Sequence, residues 1–106
     1  MSSPFELSAF AFETITVPSA NVVAVLRRGT YDRPGALPCR KAVITVDPGP
    51  VISWCDVSGV TVTSTSGHKL TAFGSVTIEG MENIKNFQTT SVSSATVGLI
   101  TVTYYR

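Results

Sequence analysis

Strict alternation governs the last stretch of the chain. In Gly98-Leu99-Ile100-Thr101-Val102-Thr103-Tyr104-Tyr105-Arg106, the side chains of Ile100, Val102 and Tyr104 alternate with those of Thr101, Thr103 and Tyr105. Period two, written in β-branched and aromatic residues, predicts a strand with one buried face. Coming last, such a strand is held only by its neighbours, so it is expected in the body of a sheet. No window carries a 3.6-residue apolar period over three turns, and glycine or proline interrupts each candidate helix.

The rest of the chain reads in the same way. Strands are expected from Phe12 to Val17, Val22 to Arg27, Arg40 to Val46, Val51 to Asp56, Val60 to Thr63, around His68 to Leu70, Ser75 to Gly80 and Gln88 to Ser91, after which Ser93-Ser94 turns into the last run. Val22-Val23-Ala24-Val25-Leu26 is almost continuously apolar and predicts a strand covered on both faces. Asp47-Pro48-Gly49-Pro50 is a turn, and Gly29 to Pro38 is the long loop. Glu82 to Phe87 predicts a single helical turn running into a strand. About eight short strands at this spacing imply an all-β, antiparallel β-sandwich of jelly-roll-like form. Residues 1–12 are apolar but irregular, and Phe5, Leu7, Phe10 and Phe12 hold no single period. They form either an arm that docks on a neighbour or an edge strand, and residues 13–106 form one domain.

With 106 residues there is room for one domain and a modest core. Hydrophobic residues make up 43% and charged residues only 14%, so the chain is not disordered, and either part of its surface is hidden against other chains or it is a lone sandwich rich in Thr and Ser. The net charge of +1 provides no global field to draw nucleic acid. No apolar run approaches the ~20 residues that span a bilayer. Met1-Ser2-Ser3-Pro4-Phe5-Glu6 lacks the basic and apolar segments of a signal peptide, so folding in a cytoplasm is expected, with Cys39 and Cys55 as reduced, buried thiols.

Chemistry is hard to nominate. His68 is the only histidine, and no nucleophile-elbow pattern accompanies it. Glu6, Glu13, Asp32, Asp47, Asp56, Glu79 and Glu82 are scattered, and only Glu79 and Glu82 lie close together. No catalytic pair, metal site, cofactor or small-molecule substrate is expected. Trp54 is in phase with Ile52 and reads as a core anchor, although a sugar-stacking platform is the other use of such a residue.

Basic residues are less evenly spread. Arg27, Arg28, Arg33, Arg40 and Lys41 are five of the eight, and they flank the Gly/Pro loop with Tyr31 among them. They are either a docking surface for an acidic partner or a solvated loop, and nucleic acid is a weaker third reading. Tyr105 is out of phase with the buried set and suits a subunit contact. The expected partner-binding residues are therefore Phe5, Leu7, Phe10, Arg27, Arg28, Tyr31, Arg33, Arg40, Lys41 and Tyr105.

The second half resembles a known group of proteins. The pieces that carry the resemblance are Val51-Ile52-Ser53-Trp54, Thr65-Ser66-Gly67-His68-Lys69-Leu70, Val76-Thr77-Ile78-Glu79-Gly80, Glu82-Asn83-Ile84-Lys85-Asn86-Phe87, and Ala95-Thr96 through Val102-Thr103-Tyr104-Tyr105-Arg106. In this order they are similar to small all-β structural proteins of tailed bacteriophages, over about residues 51–106. Cys55-Asp56-Val57-Ser58-Gly59 departs from the group's pattern. The resemblance implies a capsid decoration or cement protein, a homo-dimer or homo-trimer bound to the major capsid protein on the virion surface and made in the host cytoplasm. It implies no enzymatic activity, no nucleic-acid partner and no membrane. A head–tail or tail accessory protein, and a glycan-binding attachment module using Trp54 or Tyr31, are the alternatives.

Overall fold

The computed structural model describes residues 8–19, 21–32, 35, 37–47, 51–93 and 97–106. Along the chain run β1 (Ala9–Val17), β2 (Ala24–Val25), a one-turn helix α1 (Arg28–Tyr31), β3 (Lys41–Val46), β4 (Ile52–Cys55), β5 (His68–Leu70), β6 (Ser75–Glu79), a short helix α2 (Met81–Asn86), β7 (Gln88–Ser91) and β8 (Gly98–Tyr105). They build two four-stranded sheets, ordered β1-β8-β3-β6 and β2-β7-β4-β5. Every strand pair is antiparallel. Both sheets contribute to one core, which includes Ile15, Val17, Ile44, Ile52, Ile78, Ile84, Phe87, Ile100, Val102 and Tyr104.

Alternation accounts for the first sheet. β3 buries Ala42, Ile44 and Val46, and β8 buries Gly98, Ile100, Val102 and Tyr104, while the residues between them face outward. β8 lies between β1 and β3, in the body of the sheet as its sequence predicts. Register places Phe12, Thr103, Val43 and Thr77 in one outward row, and Thr14, Thr101, Thr45 and Ser75 in the next. Each fully buried isoleucine or valine contributes about 1.5–3 kcal/mol, so a one-residue slip that turned these faces over would lose the core.

The irregular start of β1 has a local cause. The register shifts between Ala9 and Ala11, a bulge that makes Phe10 the extra residue. Such a bulge re-aims a side chain. Phe10 packs against the core beside Tyr104, whereas Phe12 remains 73% exposed on the outer face. Residues 9–12 are thus part of an edge strand continuous with 13–17. Residues 1–7, and with them Phe5 and Leu7, lie outside the described residues.

The second sheet departs further from expectation. Val22 to Arg27 is not a strand covered on both faces: only Ala24 and Val25 pair with β7, and Val22 and Val25 are exposed. β2 is an edge with one neighbour, and of this run only Leu26 is buried in the core. Val60 to Thr63 is not a strand either. It belongs to a strap between β4 and β5 whose Val62 is fully buried, and the Gln88 side chain serves the strap's backbone, accepting from Val62 N–H at 2.9 Å and donating to Val60 C=O. The loop from Gly29 to Pro38 begins as helix α1. α2 runs from Gly80, at φ +91°, into β7, the helical turn before a strand that the sequence predicts, and it buries Ile84. Of the Asp47–Pro50 turn, only Asp47 is described; its N–H donates to Leu99 C=O at 3.0 Å. No helix among the described residues is long and apolar enough to cross a membrane.

Between β5 and β6, Phe73 has φ +62° and is 74% exposed. Its N–H donates to Val46 C=O at 2.7 Å, which holds this conformation. A left-handed residue with a Cβ costs about 1–2 kcal/mol. Phe73→Gly removes that strain and adds some unfolded-state entropy. It is expected to stabilise the domain by about 0.5–1 kcal/mol, read as a higher urea midpoint at an unchanged slope.

Candidate functional site

One end of the first sheet gathers most of the described partner-binding candidates. There β3 begins and β8 ends, with Lys41 opposite Tyr105. Arg40 N–H donates to Tyr105 C=O at 2.8 Å, and Arg106 exchanges two 3.1 Å backbone bonds with Ser8. The bulge in β1 brings the Phe10 ring beneath Arg106, whose guanidinium carbon lies 4.5 Å from the ring centroid. Lys41 Nζ lies 4.6 Å from the centroid of Tyr105. Two cation–π pairs therefore hold cations and aromatic rings together on the same end of the sheet.

Beside them is an open cavity of about 240 Å³, lined by Leu37, Pro38, Arg40 and Arg106. Its lining is mostly apolar, and two of its four residues are arginines. Among the described residues the only ion pair is Arg28–Asp32, so Arg40, Lys41 and Arg106 have no carboxylate partner. Glu79 stands opposite Lys41 across β3 and β6 without forming an ion pair. Two guanidinium groups without an ion-pair partner among the described residues, beside a mostly apolar cavity, suit a carboxylate presented by another protein.

The other candidates are placed differently. Arg28 is tied to Asp32, Nε to Oδ2 at 3.0 Å. Arg27 is exposed, and its backbone N–H donates to Glu13 Oε1 at 3.1 Å. Tyr31 does not belong to a docking surface: it is 4% exposed, and its ring packs 5.5 Å from that of Tyr104. Helix α1 turns this residue inward, which also removes it as a sugar platform. Arg33 lies outside the described residues. Leu37, Pro38 and Arg106 were absent from the sequence-based set, because their convergence depends on the β3–β8 register and on the bulge.

The interior beneath this end is polar in one place. Tyr104 Oη donates to Glu13 Oε1 at 2.7 Å, and Glu13 Oε2 has no partner among the described residues. Burial pushes the phenols of Tyr104 and Tyr31 and the thiol of Cys39 above their ordinary values. Cys39 and Cys55 are both free and buried.

Elsewhere, few groups of chemical interest meet. Lys69 Nζ lies 3.4 Å from Ser53 Oγ, the outline of a serine–lysine pair. Ser53 is fully buried, however, and donates to Ser66 C=O at 3.1 Å, so no substrate reaches its oxygen. His68 is exposed and packs on Trp54 at 4.8 Å, and Phe87 stacks on Trp54 at 5.8 Å, which makes Trp54 a half-buried anchor. No group of three potential metal ligands occurs among the described residues. No protein-family model matches the chain, and neither a curated protein nor a solved structure was found to be similar to it.

Proposed function

We propose that the chain is a jelly-roll-like β-sandwich that serves as a structural protein of a bacteriophage virion, decorating and cementing the outer surface of the capsid. The observation that carries this reading is the pairing order. β1 pairs with β8, β2 with β7, β3 with β6 and β4 with β5. That is one long hairpin rolled up so that β8 also joins β3 and β7 also joins β4. Such a roll of eight strands is the course of a jelly roll, an architecture used by viral capsid proteins and lectins alike. A fold does not fix a function. The resemblance over residues 51–106 turns the choice towards the virion, and the packing of Tyr31 and Trp54 turns it away from sugar.

In this reading the cationic and aromatic end is the docking face and the major capsid protein is the partner. Arg40, Lys41 and Arg106 meet acidic side chains, and Phe10 and Tyr105 hold the cations in place. A homo-dimer or homo-trimer on a local symmetry axis repeats the contact, and many repeats strengthen a shell that single contacts would not.

The test is binding to phage capsids stripped of accessory proteins, read by co-sedimentation and copy number. Hundreds of copies per particle are expected. A few copies would move the protein to the head–tail junction or the tail, and no binding would sink the reading. Arg40→Glu with Lys41→Glu is expected to weaken binding at least about tenfold without unfolding the domain, since removing charge complementarity at an interface has effects of this order.

A further inference from the structure

β1 is an edge strand, with β8 as its one strand neighbour among the described residues. Across β8, the backbone groups of Leu99 and Tyr105 serve the β3 side, accepting from Asp47 and Arg40. Antiparallel ladders alternate, so Gly98, Ile100, Val102 and Tyr104 serve β1. Their register partners are Val17, Ile15, Glu13 and Ala11. The N–H and C=O groups of Phe12, Thr14 and Thr16 therefore point away from the sheet, on the side where β1 has no strand neighbour among the described residues. The side chains of the same three residues are exposed.

Natural edges are blunted by charge, by proline or by shortness. The other edges here follow this rule. β2 has two residues, β5 has three with Lys69 among them, and β6 carries the exposed Glu79. β1 has nine residues, contains no proline or lysine, and has one charged residue, Glu13, which is buried against Tyr104 and the backbone of Arg27.

We infer that β1 pairs with β1 of a second copy, antiparallel and centred on Thr14, so that two four-stranded sheets become one of eight strands. The sequence limits where this pairing can run. The bulge at Phe10 stops it on one side and Pro18 on the other, and the regular stretch between them, Phe12 to Thr16, is symmetric about Thr14. A twofold axis there sets Thr14 against Thr14 of the second copy, and Phe12 against its Thr16. Each of these is a pair that exchanges both backbone bonds. No like charges meet, threonine faces threonine, and the exposed Phe12 ring gains a neighbour. The two copies use one patch, as a closed twofold dimer requires. This gives the homo-oligomer of the proposed function one geometry, yet it concerns the isolated protein and needs no capsid.

The experiment is light scattering of the purified full chain across the micromolar range, with two variants. The wild type is expected at twice the 11.2 kDa of the chain. Thr14→Lys places two ammonium groups against each other in the dimer and only adds an exposed side chain to the monomer. It is expected at 11.2 kDa with an unchanged circular dichroism spectrum. Thr14→Cys is expected to form a disulfide-linked dimer on mild oxidation, since Cα atoms in such a pair stand about 5.5 Å apart. The same change at Thr77, exposed on β6, is expected to link far more slowly. A monomeric or trimeric wild type would overturn the inference. So would a Thr14→Lys dimer, or crosslinking at Thr77 as fast as at Thr14. A confirmed dimer that ignores capsids would leave the pairing standing and reject only the virion role.

Discussion

Gly67→Ala is expected to cost about 2–4 kcal/mol and to lower the melting temperature by on the order of 10–20 °C. Gly67 has φ +131°, where residues with a Cβ are rarely found. A Cβ built there would lie 2.6 Å from Ser53 Oγ, 2.8 Å from Val62 Cγ2 and 2.9 Å from Trp54 C=O. None of these can retreat freely. Ser53 and Val62 are fully buried, and the carbonyl is part of β4. The strap must lift, exposing Val62 and breaking the two bonds made by Gln88. Gly59 supplies the control. It also has a positive φ, +79°, but has nothing within 4 Å of the Cβ position, so alanine there should cost only the backbone strain of about 1 kcal/mol. Equal losses at the two sites would mean that the strap is not held against the sheet.

Tyr104→Ala is the second large effect, at about 3–5 kcal/mol. Tyr104 is among the largest fully buried side chains, and its ring packs with those of Tyr31 and Phe10. Tyr104→Phe keeps the ring and isolates the hydroxyl. It leaves Glu13 Oε1 with one donor instead of two, a loss of about 1.5–3 kcal/mol for a buried partner. The same residue makes stability depend on pH at the alkaline end. Tyr104 and Tyr31 hold their protons above the ordinary value of 10.0 because burial disfavours the anion, and Cys39 holds its proton above 9.0 for the same reason. When the chain unfolds these groups ionise at their ordinary values. Above about pH 9–10 the folded state therefore binds more protons than the unfolded one, and stability falls as pH rises. Below that range these groups contribute no pH dependence. Urea midpoints at pH 8, 9, 10 and 11 should be level at first and then decline, with a shallower decline in Tyr104→Phe.

How far the sequence could be read depended on where the deciding contact lay. β3, β6 and β8 were legible because each has one buried face, and burial writes itself into alternate residues. Val22 to Leu26 misled because an unbroken apolar run implies two covered faces, whereas β2 stands at an edge and leaves Val25 59% exposed. Val60 to Thr63 has the composition of a strand, but its backbone is served by Gln88, a side chain far along the chain that no local pattern reveals. Tyr31 sits among arginines and reads as surface, yet one turn of helix is enough to fold it against Tyr104. At the candidate site, Arg40, Lys41 and Tyr105 were legible as exposed charge and an out-of-phase aromatic. Arg106, Leu37 and Pro38 were not, because they join the site only through strand register and the extra residue in β1.

The pairing order also governs how the domain is made. Among the eight strands only β4 and β5 join neighbours in sequence, and every other pair spans a long stretch of chain. In the first sheet, neither β1 nor β3 touches the other, and β8 is the strand that unites them. While the chain is being synthesised, β1, β3 and β6 must therefore wait for the last strand before their sheet can close. Contacts of such large sequence separation place folding in the slow range of milliseconds to seconds. Throughout that interval the open side of β1 and its exposed Phe12 are offered to any strand nearby, which makes the unfinished chain a client for chaperones and favours low expression temperatures when the protein is produced.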